Sequence, residues 1–85
     1  MKVTTGIVEI DLHGMRVEEA LRTVMRAVQK VPSSVYRIRV IHGYNSGTAL
    51  REMIGDEFSY GRVPKVIRIE QGSNPGITEL VLREL

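Results

Sequence analysis

Length, composition and charge limit this chain to one small globular domain, which we place at residues 1–85. Hydrophobic residues make up 42% and charged residues 26%, a balance typical of a folded domain with a single modest core. The absence of cysteine excludes a disulfide framework and a thiolate zinc site. No segment has the length of a membrane span or the apolar core of a signal peptide, so we predict a cytoplasmic protein without a membrane partner.

The net charge gives only weak support to an anionic partner. Twelve Lys and Arg stand against ten Asp and Glu, for a net charge of +2. Affinity for a nucleic acid must therefore come from where the cations lie, and most of them are arginines, which bind phosphate well.

The first predicted elements are a strand followed by a helix. Residues 7–12 alternate, with Val8, Ile10 and Leu12 on one side of the strand, and His13 continues the side that carries Asp11. A helix of about 14 residues follows, because apolar residues recur at helical spacing. They are Val17, Ala20, Leu21, Val24, Val28 and Val31.

The rest of the chain predicts strand, helix, strand, strand. Residues 36–40 alternate and lead into His42, and Thr48 is placed to cap a second helix that fades after Phe58. Residues 66–70 and 78–82 form the last two strands. The fold class is α/β, a two-layer β-α-β-α-β-β sandwich with a mixed four-stranded sheet: the first two strands are parallel and the last two antiparallel. One charged strand face places both helices on the other side.

Three chemically versatile side chains follow the two parallel strands. Asp11 and His13 end the first strand and His42 ends the second, at the edge where open α/β sheets bind ligands. Two imidazoles could act as acid and base in phosphodiester cleavage, while Asp11 orients one of them or binds a divalent cation such as Mg²⁺ or Mn²⁺. The alternative is structural: Asp11 caps the next turn and the imidazoles bond backbone carbonyls.

The loop before the second helix is a candidate phosphate site. A helix amino terminus offers free amides to an anion, and Tyr44 could stack on an unpaired base while Arg51 reaches a phosphate. The loop lacks the lysine of a P-loop and the glycines of a dinucleotide fingerprint. An ordinary turn with surface side chains is the alternative. The predicted contact residues here are Gly43, Tyr44, Asn45, Gly47, Thr48 and Arg51.

Two ordered motifs resemble the Smr (small MutS-related) domain, in particular its short stand-alone bacterial form. They are Asp11-Leu12-His13-Gly14, with the helix that follows, and Ile41-His42-Gly43 with Leu50-Arg51. The resemblance implies a fold like the carboxyl-terminal domain of translation initiation factor three, nucleic-acid binding and, in several members, endonuclease activity. It carries over Asp11, His13, His42 and Gly43 as functional residues, and we predict Gly14 as a further nucleic-acid or phosphate contact. Asn45 stands where the family usually has a second glycine, a departure that favours binding over cleavage.

Three hypotheses follow for the function. The first is a domain that binds nucleic acid and could also cleave it as a DNA or RNA endonuclease, a hydrolase serving DNA repair or recombination or RNA and ribosome quality control. The second is a nucleic-acid-binding module without catalysis. The third is a protein-interaction domain that docks on a ribosome or repair complex through helix residues such as Arg22 and Arg26.

Overall fold

The computed structural model describes residues 2–43 and 48–84. Within these ranges the chain forms five strands and two helices. They are β1 (Lys2–Thr4), β2 (Ile7–Asp11), α1 (Val17–Lys30), β3 (Arg37–Ile41), α2 (Ala49–Phe58), β4 (Arg68–Gln71) and β5 (Ile77–Val81). None of the described helices is long and apolar enough to cross a membrane.

The strands form one mixed sheet in the order β1-β2-β3-β5-β4. β2 and β3 are parallel, and the other three pairings are antiparallel. The predicted α/β class is confirmed, together with the parallel pairing of the first two predicted strands and the antiparallel pairing of the last two. β3 therefore lies at the centre, between β2 and β5, and the carboxyl ends of β2 and β3 meet at one edge of the sheet.

The number of strands is the point on which the sequence prediction was wrong, because it missed β1. Three residues are too few to show a period, and β1 is defined by its pairing with β2, where Val3 lies opposite Val8. Gly6 makes the intervening turn with a φ of 77°, a backbone conformation that favours glycine. The carbonyl of Gly6 accepts a hydrogen bond from the Tyr36 amide at 2.8 Å, which ties the turn to the start of β3.

The core lies between one face of the sheet and the two helices. Alternate strand residues supply the sheet side, because the side chains of a strand point to opposite faces in turn. On the helices, the buried residues fall at helical spacing, such as Ala20, Val24 and Val28 in α1 and Ile54 and Phe58 in α2. The sheet contributes Val8, Ile10, Ile38, Val40 and Leu80. The other face of the sheet carries the charged residues, as predicted.

Candidate functional site

The candidate site lies where β2 and β3 end side by side. Asp11 is the register partner of Ile41, and the Leu12 amide donates to the Ile41 carbonyl at 2.8 Å. This bond keeps the two backbone segments parallel for one residue beyond the end of β2. His13 and His42 each come directly after that point, so the fold brings Asp11, His13 and His42 to the same edge of the sheet.

Asp11 and His13 form an exposed pair. The Asp11 carboxylate accepts a hydrogen bond from the His13 backbone amide at 2.9 Å, and the same oxygen lies 3.5 Å from the His13 Nδ1. The first contact is an Asx turn, a local arrangement that fixes the backbone where a strand ends. The side chain of His13 is 85% exposed and that of Asp11 is 58% exposed, so a ligand in solution can reach both.

His42 is buried, and partners occupy both of its ring nitrogens. The residue is 3% exposed. Its Nδ1 lies 3.0 Å from the Gly43 carbonyl oxygen, and its Nε2 lies 2.8 Å from the Thr78 hydroxyl. A carbonyl can only accept, so in the neutral ring Nδ1 carries the proton and Nε2 accepts from the Thr78 O–H. The ring joins the end of β3 to the second residue of β5.

The predicted cluster of one carboxylate and two imidazoles is therefore divided into two parts. Strand alternation explains the division, because Leu12 and His42 are buried beside the core while the exposed Asp11 continues the other face of β2. His42 fits the structural alternative, with both nitrogens occupied, and Asp11 does cap a turn. Only His13 presents an exposed imidazole at this edge.

The described residues do not fit a resident divalent cation. Within residues 2–43 and 48–84, no group of three His, Asp or Glu side chains is arranged to hold a metal ion. Asp11 offers one carboxylate at the surface, so Mg²⁺ or Mn²⁺ bound there would take its other oxygen ligands from water and from substrate phosphates. We therefore assign no step to a protein-held metal.

The structure places four of the predicted phosphate-binding residues, and Tyr44, Asn45 and Gly47 lie outside the described residues. Gly14 takes a φ of 81° in the exposed turn after His13. The Gly43 amide donates to the Gly76 carbonyl at 3.0 Å, so this N–H is directed at backbone. Thr48 does occupy the cap position of α2, but its hydroxyl donates to the Glu52 carboxylate at 2.7 Å.

A carboxylate in the first turn of α2 makes that helix terminus a poorer anion site than the sequence suggested. Glu52 lies in this turn, and a negative charge there already interacts with the free amides and the helix dipole. Arg51 is exposed and lines a cleft of about 170 Å³ between α2 and the sheet. Glu70 lines the same cleft, so its charge is mixed.

Thr78 is the residue of this region that sequence reasoning missed. It is 7% exposed, bonds His42, and lines the same small cleft as Arg51. The sequence placed Thr78 in the last strand without a role. No local pattern could reveal the contact, because it depends on the register that sets Thr78 opposite Val40.

The open face of the sheet carries an ion-pair network that neutralises its own arginines. The Arg37 guanidinium lies 2.6 Å from Glu79 and 3.1 Å from Glu70, and these contacts, Glu79 first, raise the pKa of Arg37. Arg68 lies 2.9 Å from Glu70. Hydrogen bonds from Arg68 and then Arg37 lower the pKa of Glu70.

The network continues to the neighbouring strand. Arg39 contacts Glu79 at 3.0 Å and Glu9 at 3.8 Å, and Arg68 also pairs with Glu84 at 2.6 Å. Four glutamates thus balance the three arginines of this face, so it offers little net attraction to a polyanion.

The comparisons with known proteins agree with the observed fold. The Smr domain family model matches residues 10–75, a range that includes Asp11, His13, His42 and Arg51. Among solved structures, the crystal structure of the Smr domain of Thermus thermophilus MutS2 superposes with a TM-score of 0.79 at 28% sequence identity. The alignment covers 91% of this chain and 99% of that chain. A comparison with curated proteins finds no match.

Proposed function

The chain belongs to the Smr domain family, and we propose that it binds nucleic acid with His13 as a contact to the phosphodiester backbone and Asp11 as the positioning residue. Smr domains generally bind nucleic acids, and some of them are nicking endonucleases. The proposal concerns which residues of this chain touch the ligand. In this proposal His42 has a structural role.

The observation that carries the proposal is the exposure and local fixation of His13. Its side chain is 85% exposed at the end of β2, with the Asp11 carboxylate 3.5 Å from Nδ1. A carboxylate beside one ring nitrogen orients an imidazole and selects its tautomer. Nε2 is then the nitrogen left for a ligand, and a protonated ring donates from it to a phosphate oxygen.

The role of His42 in this proposal is to fix the end of β3. Its ring is held between the Gly43 carbonyl and the Thr78 hydroxyl, and the backbone amides of His42 and Gly43 both donate to the Gly76 carbonyl. These bonds tie the loop after β3 to the beginning of β5. His42 then acts on the ligand only through the shape of that loop.

Strand cleavage is the second candidate function, and the Asp11–His13 arrangement is the observation that favours it. An imidazole oriented by a carboxylate is a common general base. In the neutral ring, Nε2 could take a proton from an attacking hydroxyl or water, while a second group or water protonates the leaving oxygen. His42 does not supply that second imidazole in this arrangement.

Binding is tested by fluorescence anisotropy with labelled single-stranded, duplex and branched DNA and with RNA, at about 50 mM salt. We expect His13→Ala to weaken binding about three- to tenfold. The matched control is Tyr60→Ala, which truncates a side chain of a residue that is 97% exposed beyond the end of α2 and should stay within about twofold of wild type. Failure of the wild-type protein to bind any of these nucleic acids would show that the proposal is wrong.

Cleavage is tested with supercoiled plasmid and end-labelled RNA, each with Mg²⁺, with Mn²⁺ and with a chelator. Loss of activity in His13→Ala, with nucleic-acid binding still measurable, would support the second candidate. Activity that is equal in wild type and His13→Ala would indicate a contaminating nuclease and reject this candidate. A preference for branched DNA would favour a role in repair or recombination, and a preference for RNA would favour one linked to RNA or ribosome quality control.

A further inference from the structure

We infer that this domain binds an unpaired nucleic-acid strand in a groove between β1 and α1, with its phosphates on the cations of α1. The inference rests on the proposed function and names the form of the ligand and the surface that takes it. Three observations carry it: the placement of unpaired cations, an uncovered apolar surface beside them, and the position of Asp11 at the same groove.

The first observation concerns charge. On the open face of the sheet, the arginines are paired with glutamates. The exposed cations Arg22, Arg26 and Lys30 of α1, in contrast, form no ion pair with any carboxylate of the described residues. They stand four residues apart, so each lies roughly 6 Å further along the helix axis on nearly the same side. This row is a regular line of positive charge.

The second observation concerns the apolar groove that adjoins this row. The groove has a volume of about 960 Å³. Val3, Val8 and Ile10 of the sheet line it, together with Thr23, Arg26 and Lys30 of α1. Val3 is the register partner of the core residue Val8, yet it is 66% exposed. The sheet therefore extends one strand beyond the cover that the helices provide.

The third observation is the extent of the groove. Asp11 and Met15 line it as well, so it reaches the strand end where Asp11 holds His13. Tyr36 contributes an aromatic ring to the lining. A chain lying in the groove would thus pass from the cations of α1 to the exposed imidazole.

These features fit a ligand that is flat and apolar on one side and regularly charged on the other. An unpaired strand has that character, because its bases are free to contact apolar and aromatic side chains while its phosphates contact cations. A duplex keeps its bases stacked inside and would leave the exposed Val3 uncovered. The α2 side is less suitable, because Glu52, Asp56 and Glu57 outnumber Arg51 in that helix.

The charge part is tested with Arg26→Gln/Lys30→Gln on labelled oligo-dT and oligo-U of 20 nucleotides, over a range of salt concentrations. Each phosphate contact on a single strand contributes about 0.7 to the slope of log affinity against log salt. We expect the double variant to lower that slope by about 1.4 and to bind at least tenfold more weakly at low salt. The control is Arg62→Gln/Arg68→Gln, which also removes two positive charges but outside the groove lining. It should change the salt slope by less than half of the change expected for the α1 double variant.

The groove part is tested with Val3→Asp, which adds a carboxylate to its lining. The matched control is Val17→Asp, which makes the same change at another exposed valine, 40% exposed, outside the groove lining. We expect Val3→Asp to weaken single-strand binding at least fivefold and Val17→Asp to stay within twofold. Circular dichroism checks that both variants fold.

The outcomes separate this inference from the proposed function. Binding by wild type that neither the α1 double variant nor Val3→Asp weakens would overturn the inference and leave the proposed function standing; the groove would then be free for another partner, such as an acidic protein segment. Duplex binding as tight as single-strand binding, with equal loss in Val3→Asp, would overturn the assignment to unpaired strands. Absence of all binding by wild type would overturn both.

Discussion

The Nε2 of His42 and the hydroxyl of Thr78 lie 2.8 Å apart across 36 residues of sequence. This bond joins the motif histidine that follows β3 to the strand that pairs with β3 on its other side. Because Nδ1 is held by the Gly43 carbonyl at 3.0 Å, the ring has a defined orientation in a buried position. His42 is thereby part of the framework of the site.

We predict that Thr78→Val destabilises the protein by about 1–3 kcal/mol. The substitution keeps the shape of the side chain but leaves Nε2 of a buried imidazole without its partner, and an unsatisfied buried polar group has a cost of that order. The free energy of unfolding in urea measures it. Thr4→Val is the control, since Thr4 is exposed in β1, and it should change stability by less than about 0.5 kcal/mol. Equal effects of the two substitutions would contradict the assigned bond.

The tautomer of His42 is a second prediction. At pH 8, long-range ¹H–¹⁵N correlation spectra should show the His42 proton on Nδ1, because the Gly43 carbonyl beside it can only accept. The Thr78→Val variant should keep this tautomer while the Nε2 resonance shifts. A proton found on Nε2 in the wild-type protein would be incompatible with the contact to Gly43.

Two glycines give a matched pair of stability predictions. A Cβ at Gly72 would collide with the Ile77 side chain, so Gly72→Ala should destabilise the protein by about 1–3 kcal/mol through overpacking. A Cβ at Gly55, within α2, would meet no neighbouring atom. Gly55→Ala should stabilise the protein by about 0.5–1 kcal/mol, because alanine favours a helix over glycine. Thermal unfolding measures whether the melting temperature falls in Gly72→Ala and rises in Gly55→Ala. A lower melting temperature in Gly55→Ala would contradict the finding that a Cβ there meets no neighbouring atom.

The acid dependence of stability should include a contribution from Glu70. Hydrogen bonds from Arg68 and Arg37 lower the pKa of this carboxyl in the folded state, so its stabilising effect is present above the unfolded pKa of about 4.3. It is lost as the pH falls through the lower, folded pKa. Glu70→Gln should therefore be less stable than wild type at pH 7, and the difference should shrink in acid. Urea unfolding from pH 7 to 2.5 measures this.

The control for that experiment is Asp56→Asn, which removes an exposed carboxylate of α2 outside the ion-pair network. The difference in unfolding free energy between Asp56→Asn and wild type should change less from pH 7 to pH 2.5 than the difference for Glu70→Gln. A Glu70→Gln difference that stays constant down to pH 2.5 would mean that the arginines do not favour the charged form of Glu70.

The parts of the fold that depend on local periodicity could be predicted from the sequence. The apolar spacing in α1 and the alternation in β2 are set within a few residues, and both elements were found. β1 was missed because its three residues show no period. At Gly72 glycine is needed because Ile77 packs against it, a contact that only the β4–β5 connection creates and that no local pattern reveals.

The candidate site was predictable in position but not in detail. Parallel pairing of β2 and β3 brings Asp11 and both histidines to one edge, and this followed from topology. Whether each imidazole is exposed depends on the neighbour that strand register gives it. His42 is buried because it continues the core-facing side of β3, where the Thr78 hydroxyl bonds its Nε2. His13 stays exposed because it continues the outward side that carries Asp11. The α1 groove was equally hidden from the sequence, since it depends on β1.

The position of β5 between β3 and β4 has a consequence for the order of folding. β4 has β5 as its sole neighbour in the sheet, so β4 has nothing to pair with until the later segment is in place. During synthesis on the ribosome, β4 would emerge before its pairing partner β5. The central strand β3 would likewise lack its neighbour on one side until β5 emerged. The sheet is thus complete only when residues 77–81 pair with both β3 and β4, so we expect its folding to wait for β5.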